Sequence, residues 1–341
     1  MARKRQIYWH ESFLKHEIAP GHPESPGRVH KIITNLLKYP DRLGWEVVIP
    51  KEAGPADLER VHSRRMVREF LAQRGKSFQL DQETGGNAHT IEAALRASGG
   101  AIQAVDMVVS GAIETAWVLN RPPGHHAERD RAMGFCLCNH AAVAAAYATE
   151  ELGLRRVLIL DPDVHHGNGT QDIFYARGDV FYLSLHERHL FPGTGHEWEI
   201  GEESGRGATL NLPLEKGSGE GDYRYLEEMI LRPVVLSYAP QLVIFSTGFD
   251  ALAEDPLGGM ELSPDGFIHF LLSITKTLQK GNIPYLFLLE GGYHVDAMAE
   301  TMLGLLHSLG GQGEPEKAPA KKIRPETRRL VDALQKHPIF I

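Results

Sequence analysis

Asp161, Asp163, His165 and His166, all able to ligate a metal or carry a proton, fall within six positions of this sequence. They lie in the run Arg156-Val-Leu-Ile-Leu-Asp-Pro-Asp-Val-His-His-Gly-Asn-Gly-Thr-Gln171. Val157 to Leu160 is unbroken apolar sequence, the pattern of a strand buried on both faces of a parallel sheet. Ligands in α/β sheets collect at the carboxyl ends of strands, where these residues stand. If the extended conformation continues past Leu160, Asp161, Asp163 and His165 share one face, because strand side chains alternate with period two. A plain polar loop with Asn168 or Thr170 capping the next helix would bury carboxylates without partners, at a cost of several kcal/mol. A metal or a proton-transfer role accounts for them better.

Other strand ends carry similar chemistry. Gln241-Leu-Val-Ile-Phe-Ser-Thr-Gly-Phe-Asp250 is a second apolar run closing on an acid, with small residues that let a ligand approach. Asp163, His165 and Asp250 make a two-carboxylate, one-imidazole set that suits Zn²⁺ with positions left open for water and substrate. His125 and His126 follow Pro122-Pro123-Gly124, which pins their loop, and adjacent residues present their side chains differently. Asp161 and Asn168 are available as acceptors behind these imidazoles. An aspartate raises an imidazole's basicity more than an amide does, so one histidine can serve as base and acid while the other is more cationic. Tyr293 follows Gly291-Gly292, and a phenol delivered there can stabilise a tetrahedral oxyanion.

The elements that position these residues alternate. The sequence predicts strands at Ile7–Trp9, Trp45–Ile49, Glu114–Asn120, Val157–Leu160, Val180–Leu185, the run from Gln241, and Pro284–Leu289. Helices are predicted at Val29–Leu37 with Pro40 as a stop, at 57–72, 89–109, 141–152, near 168–176, at 219–238 and 263–279, and up to about Leu309. Residues 75–88 and 187–207 read as loops. This alternation argues a single α/β domain, a mostly parallel multi-stranded sheet with helices on both faces. Residues 1–310 read as one catalytic domain. Residues 311–341 read as a Gly/Pro/Lys/Glu-rich linker and a polar surface helix packed on that same domain.

The chain has 341 residues, 42% apolar and 23% charged, with a formal net charge of −8. That acidity argues against general nucleic-acid or anionic-membrane affinity. The basic start lacks an apolar h-region, so it does not read as a secretory signal, and no apolar run reaches the roughly 20 residues of a membrane span. Cys136 and Cys138 are the only cysteines, too few and too close for a disulfide framework, and the expected compartment is the reducing cytoplasm. Eighteen histidines is the one compositional excess.

Taken together, Arg121-Pro-Pro-Gly-His-His-Ala-Glu128, Gly134-Phe-Cys136, Asp161-Pro-Asp-Val-His-His-Gly-Asn-Gly-Thr-Gln171, Gly248-Phe-Asp250 with Asp255-Pro256, and Glu290-Gly-Gly-Tyr293 resemble the zinc-dependent histone deacetylase family. The resemblance spans residues 22 to about 310 and is nearest the class II and bacterial members. It implies the arginase–deacetylase fold, with zinc on Asp163, His165 and Asp250. It also implies His126 as general base and acid, His125 as its electrostatic partner, and Tyr293 as the carbonyl-polarising donor. Gly134, Phe135, Phe191 and Leu257 would contact an acylated lysine-like substrate, and Arg28 with Cys136 would line an inner acetate channel. A structural potassium ion is implied near Asp161, Asp163, His165, Ser184 and Leu185. Asn168 stands where class I members carry Asp, and Pro162 where many relatives have Trp or Leu.

The implied activity is metal-dependent hydrolysis of acetylated lysine side chains, with an acetylated lysine or amine as partner and no direct nucleic acid or membrane. An acetylpolyamine amidohydrolase is the main alternative. Polyamine-selective relatives carry a glutamate where this chain has Leu257, which tilts the expectation toward acyl-lysine. A binuclear manganese ureohydrolase would need a second acid beside Asp250, where Ala251 and Leu252 stand. A non-catalytic acyl-lysine binder would need a lost ligand, histidine or tyrosine, and all are present.

Overall fold

A computed structural model describes residues 4–38, 44–313 and 322–340; the predicted Pro40 stop and residues 314–321 of the predicted linker lie outside them. Among the described residues, eight parallel strands form one sheet. They are β1 (Lys4–Tyr8), β2 (Glu46–Val48), β3 (Ile113–Val118), β4 (Val157–Asp161), β5 (Val180–Glu187), β6 (Thr209–Leu214), β7 (Leu242–Thr247) and β8 (Tyr285–Leu289). Their order across the sheet is β2-β1-β3-β8-β7-β4-β5-β6. The fold is α/β, as the alternation predicts.

Period-two alternation divides the core between the two faces. Leu158, Leu160, Phe245, Phe287 and Trp117 pack on one side, and Val157, Ile159, Ile244, Leu286 and Ala116 on the other. On the second face, helices Thr90–Val109 and His140–Glu150 lie close to the strands, the latter through buried Ala141, Ala142, Ala144, Ala145, Ala146 and Ala148. On the first face sit helices Gly27–Lys38, Pro264–Lys280 and Val295–Leu309. Among the described residues, no helix is long and apolar enough to cross a membrane.

The structure departs from the predicted elements in several places. The helix expected over 57–72 is two, Pro55–Leu58 and Arg64–Leu71, because Ser63 caps the second by accepting from the Met66 N–H at 3.3 Å. The loop at 75–88 contains a two-strand antiparallel ladder, Phe78–Gln79 against Gly85–Gly86. β6 went unpredicted because Pro213 reads against a strand; it is tolerated because β6 is the sheet's edge, paired only with β5. The helix over 219–238 is interrupted by a π turn at Glu227–Leu231. The C-terminal helix Pro325–Leu334 is less polar in effect than it reads. Thr327, Leu330, Val331 and Leu334 are buried, and the His337 imidazole donates to the Thr209 carbonyl of β6 at 2.8 Å.

Register brings the chemistry together. At their carboxyl ends, Val118 lies beside Leu288, Leu289 beside Thr247, Leu160 beside Phe245, and Asp161 beside Ser184. The loops leaving β3, β8, β7 and β4 therefore converge at one end of the sheet.

Candidate active site

The Nδ1 of His165 lies 3.1 Å from Asp163 Oδ1 and 3.1 Å from Asp250 Oδ2. One donor atom from each of the three residues falls within 4.8 Å of the others, and all three residues are buried. Backbone N–H groups hold the carboxylates in place: Gly291 donates to Asp163 Oδ2 at 2.7 Å, His165 to Asp163 Oδ1 at 2.9 Å, and Val164 to Asp250 Oδ1 at 2.9 Å. Gly248 and Gly291 line the carboxylates so closely that a Cβ on either would overlap Asp163 and Asp250 oxygens. This explains why both are glycine at φ values any residue adopts.

Burial together with the Asp163 charge pushes the Asp250 carboxyl up to about 7. Burial also works against charge on Asp163, but His125 and His165 outweigh it and hold that carboxyl below its ordinary value. Burial opposes protonation of His165 too, yet hydrogen bonds to Asp163 and Asp250 raise it to about 10. Positive charge among the three donors is thus strongly favoured. A buried oxygen-oxygen-nitrogen set within glycine walls fits a divalent cation such as Zn²⁺.

The two neighbouring histidines are in contact, with ring centroids 4.0 Å apart, yet differ in character. His125 Nδ1 faces Asp161 Oδ2 at 3.1 Å, and its Nε2 lies 3.9 Å from Asp163 Oδ1. Burial alone would lower it, but the Asp163 and Asp161 charges raise it to about 10. His126 Nδ1 faces Asn168 Oδ1 at 2.8 Å. Burial and the neighbouring His125 and His165 charges press it well below its ordinary value. The surroundings thus favour charge on one ring and oppose it on the other. Asp161 also accepts from the Tyr182 hydroxyl at 3.0 Å, and burial raises its carboxyl.

Tyr293 is half-buried on the loop leaving β8. Asp255 accepts its backbone N–H at 2.6 Å, and its ring lies 4.9 Å from the Arg28 guanidinium and 5.8 Å from the Phe135 ring. Arg28 is fully buried within helix Gly27–Lys38; it donates to the Gly292 carbonyl at 2.6 Å, to Glu24 Oε1 at 3.0 Å, and to the Glu290 carbonyl. Cys136 is buried nearby, its thiol raised well above the ordinary range by desolvation. Gly134, at φ +56°, approaches His126 so closely that a Cβ would stand 2.6 Å from its Cδ2 and 3.0 Å from Phe191. The Phe191 ring is 5.1 Å from that of His126 and 6.5 Å from that of His165, and 42% exposed, so it lies on the solvent side of these histidines. Leu257 is half-buried, held through its N–H by Asp255 Oδ1 at 3.0 Å. Ser184 and Leu185 are buried on β5, where Ser184 meets the His186 ring at 2.9 Å.

Some contributors lie outside the residues singled out from sequence. Glu290 accepts the N–H groups of Gly124 and His125 at 2.6 and 3.1 Å and the Ser246 hydroxyl at 2.6 Å, so it fastens the His-His loop to β8. Its signal was present: like Asp161 and Asp250, it closes an apolar run. Glu24 binds Arg121 through both carboxylate oxygens at 2.6 Å in a fully buried pair. Asp255 and Glu128 stand inside the motifs quoted above, but their partners, the Tyr293 N–H and the Asn168 amide, emerge only in three dimensions.

These loops gather a buried carboxylate–imidazole cluster and two touching histidines at the carboxyl end of a parallel sheet. Similarity to known proteins identifies the family. Residues 22–309 match the histone deacetylase domain, and the chain belongs to that family. It is 34% identical over 311 residues to a probable deacetylase of Archaeoglobus fulgidus, covering 89% of this chain and 86% of that protein. It is 39% identical over 305 residues to a probable deacetylase of Methanothermobacter thermautotrophicus, covering 87% and 89%. It is 38% identical over 300 residues to a histone deacetylase-like amidohydrolase of Pseudomonas aeruginosa, covering 86% and 78%. The crystal structure of the HDA15 HD domain superposes with a TM-score of 0.88 at 31% identity, covering 98% of this chain and 93% of that one.

Proposed function

We propose that this chain hydrolyses the acetyl amide of acetylated lysine side chains, releasing acetate and the free amine. The observation that carries the reading is the pair of touching histidines, one backed by the Asp161 carboxylate and the other by the Asn168 amide, beside the Asp163–His165–Asp250 cluster. Asp163, His165 and Asp250 would hold zinc, which when bound polarises the amide carbonyl and acidifies water. His126, neutral with its Nδ1 committed to Asn168, takes the proton from the attacking water and returns it to the leaving nitrogen as the C–N bond breaks. His125 stays protonated between Asp161 and Asp163 and supports the developing negative charge. Tyr293 donates its hydroxyl to the oxyanion, and Gly134, Phe135, Phe191 and Leu257 guide the aliphatic chain inward. Arg28 and Cys136 lie behind Tyr293 where acetate would leave.

The reading also includes a structural potassium ion near Asp161, Asp163, His165, Ser184 and Leu185, supported by the register that sets Asp161 beside Ser184. The cytoplasm is the proposed location, which suits two free, buried cysteines.

The test is turnover of an acetyl-lysine peptide and of N-acetylputrescine, at equal concentrations, by the zinc-loaded protein. Faster peptide turnover that is lost in His126→Ala supports the proposal. Preference for the acetylated diamine keeps the chemistry and overturns the substrate. No turnover of either overturns the acetyl-amide reading.

A further inference from the structure

His126 takes a proton only if its proton-bearing nitrogen faces away from the substrate. Its Nδ1 contacts Asn168 Oδ1, and an amide can turn over to present its NH₂ instead. Something has to hold that amide, and Asn168 cannot do so alone.

The Asn168 Nδ2 donates to Glu128 Oε1 at 2.7 Å and lies 3.4 Å from the Met133 sulfur. A carboxylate only accepts. Turning the amide over would set Asn168 Oδ1 against Glu128 Oε1, oxygen against oxygen, so the carboxylate selects one orientation. With the amide oxygen toward His126, Nδ1 must be the N–H, and Nε2 is left with the lone pair.

Glu128 is itself held. Its carbonyl accepts from His62 Nδ1 at 2.8 Å, and its N–H donates to the Arg131 carbonyl at 2.8 Å. Helix Asn168–Phe174 begins directly against this segment, where a Cβ at Gly169 would overlap the Ala127 carbonyl. One backbone contact therefore sets Asn168 and Glu128 face to face.

We infer that Glu128 is a positioning residue for the base: through the Asn168 amide, it fixes the His126 tautomer that leaves Nε2 free. The inference deepens the proposed hydrolysis and rests on it for its kinetic consequence, though not for the tautomer itself. It also specifies a charge rule. With a cation at position 128, the amide should turn its oxygen outward and its NH₂ toward His126, forcing the proton to Nε2. A cation at 128 should be tolerated only if residue 168 becomes a carboxylate, which accepts from both sides.

The experiment compares wild type, Glu128→Lys, Glu128→Ala and the double variant Glu128→Lys/Asn168→Asp, all zinc-loaded and checked by thermal melting. Two readouts are taken: kcat and KM on an acetyl-lysine peptide, and the ¹⁵N imidazole shifts of His126, assigned by their loss in His126→Ala. Wild type should show an unprotonated Nε2. Glu128→Lys should move the proton to Nε2 and lower kcat on the order of 100-fold with KM little changed, the share expected of a disabled general base. The double variant should restore the tautomer and most of kcat. If Glu128→Lys does not fold, Glu128→Ala decides, by a mixed tautomer and reduced kcat. Wild-type tautomer in every folded variant, or no rescue in a folded double variant, overturns the inference. An inactive wild type with the expected tautomers would count against the hydrolytic reading and leave this one standing.

Discussion

Asp255 accepts the backbone N–H of Tyr293 at 2.6 Å through Oδ2, and the same oxygen takes the N–H of His294 at 3.1 Å. The loop that delivers the phenol is therefore set by a carboxylate on the loop that delivers Asp250. Tyr293→Phe removes the donor and should lower kcat by roughly two to three orders of magnitude. Asp255→Ala should lower kcat without removing the phenol, and Asp255→Asn, which keeps an acceptor oxygen, should recover part of it. Steady-state kinetics on an acetyl-lysine peptide check both; a Tyr293→Phe protein near wild-type kcat would remove Tyr293 from the mechanism.

Metal binding should appear as stability. A cation held by Asp163, His165 and Asp250 binds the folded chain only, so zinc at 100 times its Kd should add about 2.7 kcal/mol. Chelator-treated protein should gain thermal stability on zinc addition, and Asp250→Ala should gain none. Equal zinc responses from the two proteins would move the metal elsewhere.

Gly291→Ala tests the closeness of the cluster. Its Cβ would overlap Asp250 and Asp163 oxygens, so the variant should fold with weakened zinc affinity. Metal titration of the chelator-treated protein measures this, and an unchanged Kd would show that the carboxylates can retreat at no cost.

Stability should fall in acid because of buried neutral histidines. His62 donates through Nδ1 to the Glu128 carbonyl and accepts the Asn139 N–H through Nε2 at 2.9 Å, so neither nitrogen has room for a second proton. Burial lowers it from 6.5 to about 4. The unfolded chain then binds the proton more readily, so the stabilising effect is complete above pH 6.5 and is lost as pH falls toward 4. Between pH 7 and pH 5, the stability advantage of wild type over His62→Gln should shrink by about 2 kcal/mol. Urea unfolding at both pH values decides; a constant difference would mean that His62 titrates in the fold as it does in the unfolded chain.

The sequence made the ligand-bearing strands legible because burial and chemistry coincide there. β4 and β7 are apolar runs that close on Asp161 and, after a short turn, on Asp250, and β8 closes on Glu290. The same logic explains what stayed hidden. Glu24 finds Arg121 across 97 positions and Asn168 finds Glu128 across 40, and no local pattern encodes such pairs. β6 escaped because Pro213 breaks the strand pattern, and an edge position makes that break harmless. The division of 57–72 into two helices turned on the single cap at Ser63.

The edge at β6 has a consequence for how the protein behaves in concentrated solution. An open strand offers unpaired backbone groups to any other extended chain, and this sheet closes neither side into a barrel. At one margin β2 is only Glu46–Val48; at the other, Pro213 withholds an N–H while His337 occupies the Thr209 carbonyl and helix Pro325–Leu334 leans on the strand. The Pro325–Leu334 helix should therefore oppose strand-on-strand association. A chain cut before Pro325 should keep the loops around Asp163 and Asp250 and still precipitate.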